Sequence, residues 1–382
     1  MKTSTPRVVH LSGRSFWCGE SNRVLVICRG LYAKGWPVML GVPPDSPLAA
    51  RASEEGIPVD TRFRFRRGFR PFTIMRDVLA LRRMHREMPI DILHLHTSVD
   101  TWIAALAFGF SKRPPYPLIV RTRHSDHVSK GDMIHRWLYR HTIDHVVLSS
   151  DSLRTPLAAL FRTGALTDAR VSVIHSSIDV ARFDPETVSG HSIREELGLD
   201  DRICIGLIGR VSSEKGHDLL VRVLPEIVNV EPRVMCVFVG EGDQEAHLRE
   251  QTGRLNLQQH VYFTGFRSDI PEIVAAMDLL VVPSTRVESS PAVVKEAMAM
   301  RKPVVAADVG GVGEIISHGE DGLVIPPHDA VALRDAVLQL LQDADLRQRL
   351  VMHARARVVS SFSDACLVAN TMRMYMRLKE QS

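Results

Sequence analysis

The stretch Ile203-Cys-Ile-Gly-Leu-Ile-Gly-Arg-Val-Ser-Ser-Glu-Lys-Gly-His217 decides how this chain folds. Its first six residues are almost continuously apolar, the mark of a strand covered on both faces, as in a parallel sheet. Gly209 permits close backbone approach at the strand end, and Gly216 lets the chain turn into a helix over 218–228. Between the glycines stand two cations. Arg210 offers a planar fork and Lys215 a point charge, so both can reach one anionic group.

The same rhythm of apolar run, glycine or polar turn and helical segment recurs along the 382 residues. The second half continues with runs at 234–239, 261–264, 279–282, 304–307 and 323–325. The first half offers 8–11, 37–42, 91–96, 118–122, 145–149 and 171–174. Each half reads as a doubly wound α/β domain, with ligands expected at the carboxyl ends of its strands. The length suits two cores better than one. Residues 1–180 form the expected N-terminal domain and 181–363 the C-terminal one, joined by a polar hinge over 176–201. A last helix within 364–382 exposes Leu367, Met374 and Leu378, which need a partner surface. That helix is expected to pack back onto the N-terminal domain.

An apolar content of 45% with 24% charged residues excludes a disordered chain. The longest apolar run, 102–110, is far short of the roughly 20 residues of a membrane span. Val8 to Leu11 is too short for the core of a secretory signal. Five cysteines (Cys18, Cys28, Cys204, Cys236, Cys366) are scattered without metal-ligand spacing, and Cys204 and Cys236 fall in strand-like runs. These features point to a reducing, cytoplasmic setting.

A second informative stretch is Pro283-Ser-Thr-Arg-Val-Glu-Ser-Ser-Pro-Ala-Val-Val-Lys-Glu-Ala-Met-Ala-Met300. Pro291 suits the first position of a helix, with Ser290 before it as N-cap. Glu288 then lies in the loop and Glu296 on the second turn. A helix N-terminus between two carboxylates can draw phosphate to its N–H groups and ligand hydroxyls to its acids. A nucleotide sugar carries both. The pair does not read as a hydrolytic dyad, because nothing sets the two acids opposite each other across a glycosidic bond. Glycine turns at 238–243 and 263–269 follow strands, and 304–314 contains Asp-Val-Gly-Gly-Val-Gly-Glu.

Taken in order, these motifs resemble the donor domain of the retaining family 4 glycosyltransferases. Their GT-B fold has two Rossmann-like, doubly wound domains facing across a cleft. The resemblance covers 203–335 and continues more weakly through the first half. It implies that Arg210 and Lys215, with Gly209, hold the donor pyrophosphate and stabilise the leaving nucleoside diphosphate, doing with cations what a metal does elsewhere. Glu296 corresponds to the residue binding the ribose hydroxyls, and Glu288 to the one beneath the donor sugar. Phe266 and Arg267 lie where the family contacts the base. Gly19, after Cys18, matches the second glycine of a Gly-Gly loop that lets donor phosphates approach. His124, in Arg121-Thr-Arg-His-Ser125, matches a histidine facing donor and acceptor. Ser289 and Ser290 replace the family's Gly-Phe, which leaves the sugar open. No metal or other cofactor is implied.

His94 and His96 alternate on one strand face without accompanying cysteine or carboxylate, and so read as a wall of the acceptor cleft rather than as metal ligands. Residues 1–180 hold 26 Lys+Arg against 15 Asp+Glu, whereas 181–382 hold 22 against 29. Part of that asymmetry is an arm, Arg62 to Arg86, with nine arginines interleaved with Phe63, Phe65, Phe69 and Phe72 and opposed by Asp77. No nucleic-acid motif accompanies it. An anionic membrane surface or an anionic glycan or lipid-linked acceptor suits it, as in bacterial transferases that build lipopolysaccharide or other cell-surface polysaccharide. Other readings are a transferase with a small soluble acceptor, a GT-B nucleotide-sugar epimerase, and an inactive sugar-binding module.

Overall fold

A computed structural model describes residues 5–66, 68, 70–109, 116–124, 131–199, 201–286 and 288–381. Arg67 and Phe69 of the arm, Phe110 at the end of the apolar run, and Ser125 lie outside the described residues. The chain divides into two compact units. Unit 1 joins Met1–Ser176 to Asp364–Ser382, and unit 2 is Ser177–Ser363.

Unit 1 is built on a seven-stranded parallel sheet: β1 (Val8–Leu11), β2 (Val38–Gly41), β3 (Val59–Asp60), β4 (Ile92–Leu95), β5 (Leu118–Arg123), β6 (His145–Leu148) and β7 (Val171–Val173), in the order β3-β2-β1-β4-β5-β6-β7. The order reverses between β1 and β4, where His10 pairs in register with His94. Separate apolar clusters cover the two faces, one around Val24, Ile27 and Leu31, the other around Leu81, Phe63 and Ile103. That double burial is why the strands read as unbroken apolar runs. The helix Asp364–Glu380 belongs to this unit. It lays Leu367, Val368, Met374 and Tyr375 against the helix Gly19–Ala33 and its neighbours.

Unit 2 has six parallel strands: β8 (Ile203–Ile208), β9 (Val234–Val239), β10 (Val261–Gly265), β11 (Leu279–Val282), β12 (Val304–Ala307) and β13 (Leu323–Ile325), ordered β10-β9-β8-β11-β12-β13. Here the reversal falls between β8 and β11, and again each face has its own core. Residues 177–199, within the segment expected as the hinge, pack into unit 2. Ile178, Phe183, Ile193, Leu197 and Leu199 are all buried in its core. The polarity of the segment masked apolar anchors at irregular spacing, which no helix or strand period exposes.

Candidate functional site

In unit 2 the chemistry gathers at the β8/β11 switch point, where an open α/β sheet leaves a crevice for ligands. Gly209 leaves β8 at φ 153° and Gly216 turns at φ 74° into the helix His217–Val230. A Cβ on Gly216 would lie 2.0 Å from the Pro283 carbonyl oxygen, so only glycine lets the lysine turn press against the end of β11. Thr285 N–H donates to the Glu214 carbonyl at 2.8 Å across the same seam. The result is that Lys215 and Glu288, 73 positions apart in sequence, form an ion pair. Ser284 Oγ donates to the same Glu288 oxygen at 2.8 Å.

The backbone of Glu288 is clamped by the glycine pair after β12. Gly311 N–H donates to its carbonyl at 2.7 Å, and a Cβ on Gly310 would lie 2.5 Å from that oxygen. Neither Ser284 nor Gly310 and Gly311 stood out in the sequence as positioning Glu288, since only the fold reveals what the glycines approach. Arg210 is exposed, and its guanidinium has no hydrogen bond or ion pair among the described residues.

The helix bearing Glu296 spans Ala292–Ala299. Its cap is Pro291, at ψ 117°, not Ser290 as expected. That extended ψ keeps the proline just outside the helix, and the Ser290 hydroxyl is used elsewhere, accepting from the buried Lys295 ammonium at 2.9 Å. Glu296 is half-buried and its carboxyl makes no hydrogen bond among the described residues. Burial pushes it up to about 7, against the opposing pull of the Lys295 and Arg182 charges. An acid held in this way is ready to bond ligand hydroxyls.

The residues expected at the base differ in kind. Phe266 is 75% exposed after Gly265, which turns at φ 70°. Arg267 is locked by Asp269 at 2.6 Å and by Glu196 at 2.5 Å, so its guanidinium braces the turn. At the other glycine turns, a Cβ on Gly240 would lie 2.1 Å from the Gly209 oxygen and one on Gly242 1.9 Å from the Val211 oxygen. These glycines stack the turns after β8 and β9 on each other.

In unit 1, a cavity of about 390 Å³ opens at the carboxyl ends of β1, β4 and β5, the second switch point. Arg14, His96, Arg121, Arg123 and His124 line it, with Gly13 beneath. Gly13 escaped the sequence reading, yet a Cβ there would lie 2.9 Å from Phe65 Cβ. The carboxylate in the lining, Glu20, holds Arg14 through bonds of 2.9 and 2.6 Å. Asp100 is taken up in capping the helix Ser98–Ala104 through Thr97. The cavity is therefore cationic in character. His124 is half-buried, and burial together with Arg23, Arg14, Arg123 and Arg121 holds its imidazole well below the ordinary 6.5.

Gly19 opens the helix Gly19–Ala33, and nothing lies within 4 Å of a Cβ built there, so no packing demands glycine. His94 is no cavity wall. It is almost wholly buried, bonded to Tyr375 and Thr122 beneath the Asp364 helix.

The arm also differs from expectation. Phe63 and Phe65 point into the core and stack at 5.2 Å, while Arg62, Arg64 and Arg66 point outward. Asp77 is buried and accepts from the N–H groups of Arg64 and Phe65, so it anchors backbone more than it neutralises charge. Among the described residues no helix is long and apolar enough to cross a membrane.

The family described as "Glycosyltransferase Family 4" matches residues 18–182, and "Glycosyl transferases group 1" matches 191–357. The alpha-D-kanosaminyltransferase of Streptomyces kanamyceticus is 29% identical, covering 74% of this chain and 76% of the relative. The lipopolysaccharide core biosynthesis mannosyltransferase of Rhizobium meliloti is 31% identical over 54% of this chain and 61% of its own length. Among solved structures, a Rickettsia africae glycosyltransferase superposes with a TM-score of 0.85 at 20% identity, covering 99% of this chain and all of the other. An Anabaena protein in complex with UDP gives 0.81 at 22% identity, covering 97% and 100%. With two matched segments that together span most of its length, and a GT-B fold in both halves, the chain belongs to the family 4 glycosyltransferases.

Proposed function

We propose that this glycosyltransferase moves a sugar from a nucleotide diphosphate to a glycan acceptor with retention of anomeric configuration. The observation that carries this reading is the ion pair of Lys215 with Glu288, which joins the segments after β8 and β11, the same two segments that carry Arg210 and Glu296. Arg210 and Lys215 take the pyrophosphate and offset the charge on the leaving nucleoside diphosphate, so no metal is needed for that step. Glu296 binds the ribose hydroxyls. Glu288, steadied by Ser284 and Gly311, holds the sugar. Uridine is a reasonable first base to test, because the Anabaena relative was solved with UDP and with UDP-glucose.

The cavity of unit 1 takes the acceptor, with His124 as the residue nearest its reacting hydroxyl. Arg14, Arg121 and Arg123 favour an acceptor bearing phosphate or carboxylate, as in a lipid-linked or phosphorylated surface glycan. The mannosyltransferase relative of the lipopolysaccharide core is consistent with that class. A cytoplasmic enzyme resting on the inner membrane surface fits such an acceptor.

Thermal stabilisation by a panel of UDP-, GDP- and ADP-sugars identifies the donor, since a ligand bound only by the folded state raises its apparent stability. With that donor, Lys215→Ala should lower kcat by about tenfold to a few hundredfold, the value of one charged hydrogen bond. Unchanged turnover in this variant removes the assigned role of Lys215. Turnover that depends on added divalent metal and stops with chelator contradicts the cation mechanism.

A further inference from the structure

Behind the unit 1 cavity, side chains are joined end to end. His124 Nε2 lies 3.3 Å from His96 Nδ1, and His96 Nε2 lies 3.0 Å from His10 Nδ1. His10 Nε2 is 3.2 Å from the Tyr375 hydroxyl, which also bonds His94 Nδ1. His94 Nε2 meets Thr122 Oγ1 at 2.6 Å. His10 and His94 lie in the adjacent strands β1 and β4, His96 and His124 directly follow β4 and β5, and the tyrosine comes from the Asp364 helix. His96, His124 and Thr122 touch the cavity, while His10, His94 and Tyr375 are shut away from solvent.

A metal ion is one alternative, because the ligand atoms of His10, His94 and His96 lie within 4.8 Å of one another. The ring stacking opposes it. His94 and His96 stack at 4.5 Å with a 22° tilt, while His10 and His96, 5.3 Å apart and nearly parallel at 13°, already turn their facing nitrogens to each other in a hydrogen bond. An imidazole lone pair lies in its ring plane and meets an ion at about 2.0–2.1 Å. Rings stacked face to face aim their lone pairs along parallel planes, not at one point. Here the nitrogens bond each other and two hydroxyls instead.

The surroundings favour the neutral form of all four rings. Burial pushes His10 down to about 3 and holds His94, His96 and His124 well below 6.5. The buried Arg23 guanidinium opposes protonation of the last three, and Arg14, Arg121 and Arg123 add to this at His124. A neutral imidazole has one N–H and one bare nitrogen. Every link then has a donor and an acceptor in only two ways, with all protons pointing toward Thr122 or all toward His124. Tyr375, with one proton between two rings, makes the halves agree.

We propose that His96, His10 and Tyr375 are positioning residues that fix which nitrogen of His124 carries its proton, so the C-terminal helix helps set what the cavity presents to its substrate. The catalytic consequence rests on the acceptor-side role of His124 given above, whereas the tautomer itself can be read without turnover. Full-length protein labelled with 15N in its histidine rings gives spectra that separate N–H from bare nitrogens, and His124→Asn assigns the His124 signals. Wild-type His124 is expected to show one neutral tautomer from pH 6 to 8. Tyr375→Phe, which keeps the ring packing, should convert it to an average of two tautomers. It should also lower kcat by about threefold to tenfold with the donor KM unchanged. His10→Asn, which keeps a hydrogen-bonding group toward His96, should retain more of both properties than His10→Leu.

An averaged wild-type His124, or a Tyr375→Phe spectrum identical to wild type, overturns the relay. If His124→Asn leaves turnover of the donor found by the sugar screen intact, the acceptor-side role of His124 fails and the spectra still decide the relay.

Discussion

Glu296 shows how a fold can carry a buried acid at a cost to its own stability. An unfolded glutamate titrates near 4.3, whereas burial pushes this one up to about 7. The folded state therefore prefers the protonated acid. The stability this gives is complete below about pH 4.3 and is lost as pH rises through 7. Glu296→Gln, neutral throughout, should be more stable than wild type at pH 8 by about 1–3 kcal/mol and equally stable at pH 4. Calorimetric melting at the two pH values decides it, and a variant no more stable at pH 8 would show that the carboxylate is well accommodated. The same variant should lose stabilisation by the donor, because an amide is a poorer acceptor for hydroxyls. Glu288 and Glu296 were visible in the sequence because their spacing brackets a helix start. The partners of Glu288 were not: Lys215, Gly310 and Gly311 meet it only through the order of the strands, and Ser284, four positions away, carries no pattern that marks it. His10 and Tyr375 were missed for another reason. A histidine inside a buried strand is a warning that polar partners lie nearby, but those of His10 are 86 and 365 positions away.

At the level of elements, β1, β8, β9, β11, β12 and β13 begin and end at the residues read from the sequence. Strands covered on both faces are mostly apolar, so their ends coincide with the first polar, glycine or proline residue beyond them. The two-residue β3 at the sheet edge carries too little pattern to be seen. The arm does not present all of its described aromatics at the surface, since Phe63 and Phe65 are buried. Phe63 and Phe65 alternate with Arg62, Arg64 and Arg66 and turn inward in a segment that is not a strand, with Phe65 at φ 46°. The apolar part of the arm that stays exposed among the described residues is one stripe of the helix Pro71–Glu87, with Phe72, 92% exposed, in line with Met75 and Leu79 and flanked by Arg76, Arg83 and Arg86. Basic residues near anionic headgroups are worth about 1 kcal/mol each. Co-sedimentation with vesicles containing phosphatidylglycerol is expected, with loss on Phe72→Ser combined with Met75→Ser. Equal binding to purely neutral vesicles, or none to either, excludes a membrane role for this helix. A packing contrast applies to the helix Gly19–Ala33. A Cβ on Gly30 would lie 2.3 Å from Val368 Cγ2, whereas Gly19 faces open space. Gly30→Leu should cost about 2–3 kcal/mol in denaturant unfolding, and Gly19→Ala almost nothing. A drop in turnover for Gly19→Ala at unchanged stability would then speak for a ligand passing close to that backbone.

For the molecule as a whole, the division into units matters more than the sheets. Unit 1 takes its last helix from beyond unit 2, and that helix contributes Leu367, Val368, Met374 and Tyr375 to its core. Each fully buried apolar side chain contributes about 1.5–3 kcal/mol, a large share of a domain's net stability. Ending the chain at Ser363 should therefore strip hydrogen-exchange protection from β1, β4 and β5 while leaving β8, β9 and β11 protected. Loss of protection first in unit 2 would show that the helix supports the wrong partner. There is also a consequence for the order in which the protein is made. A ribosome releases all of unit 2 before it supplies the segment that closes unit 1, so the later-made half is the first that can finish folding. The nascent N-terminal half must wait with the seat of its closing helix uncovered, and in that interval it is the part of the newborn chain most in need of a chaperone.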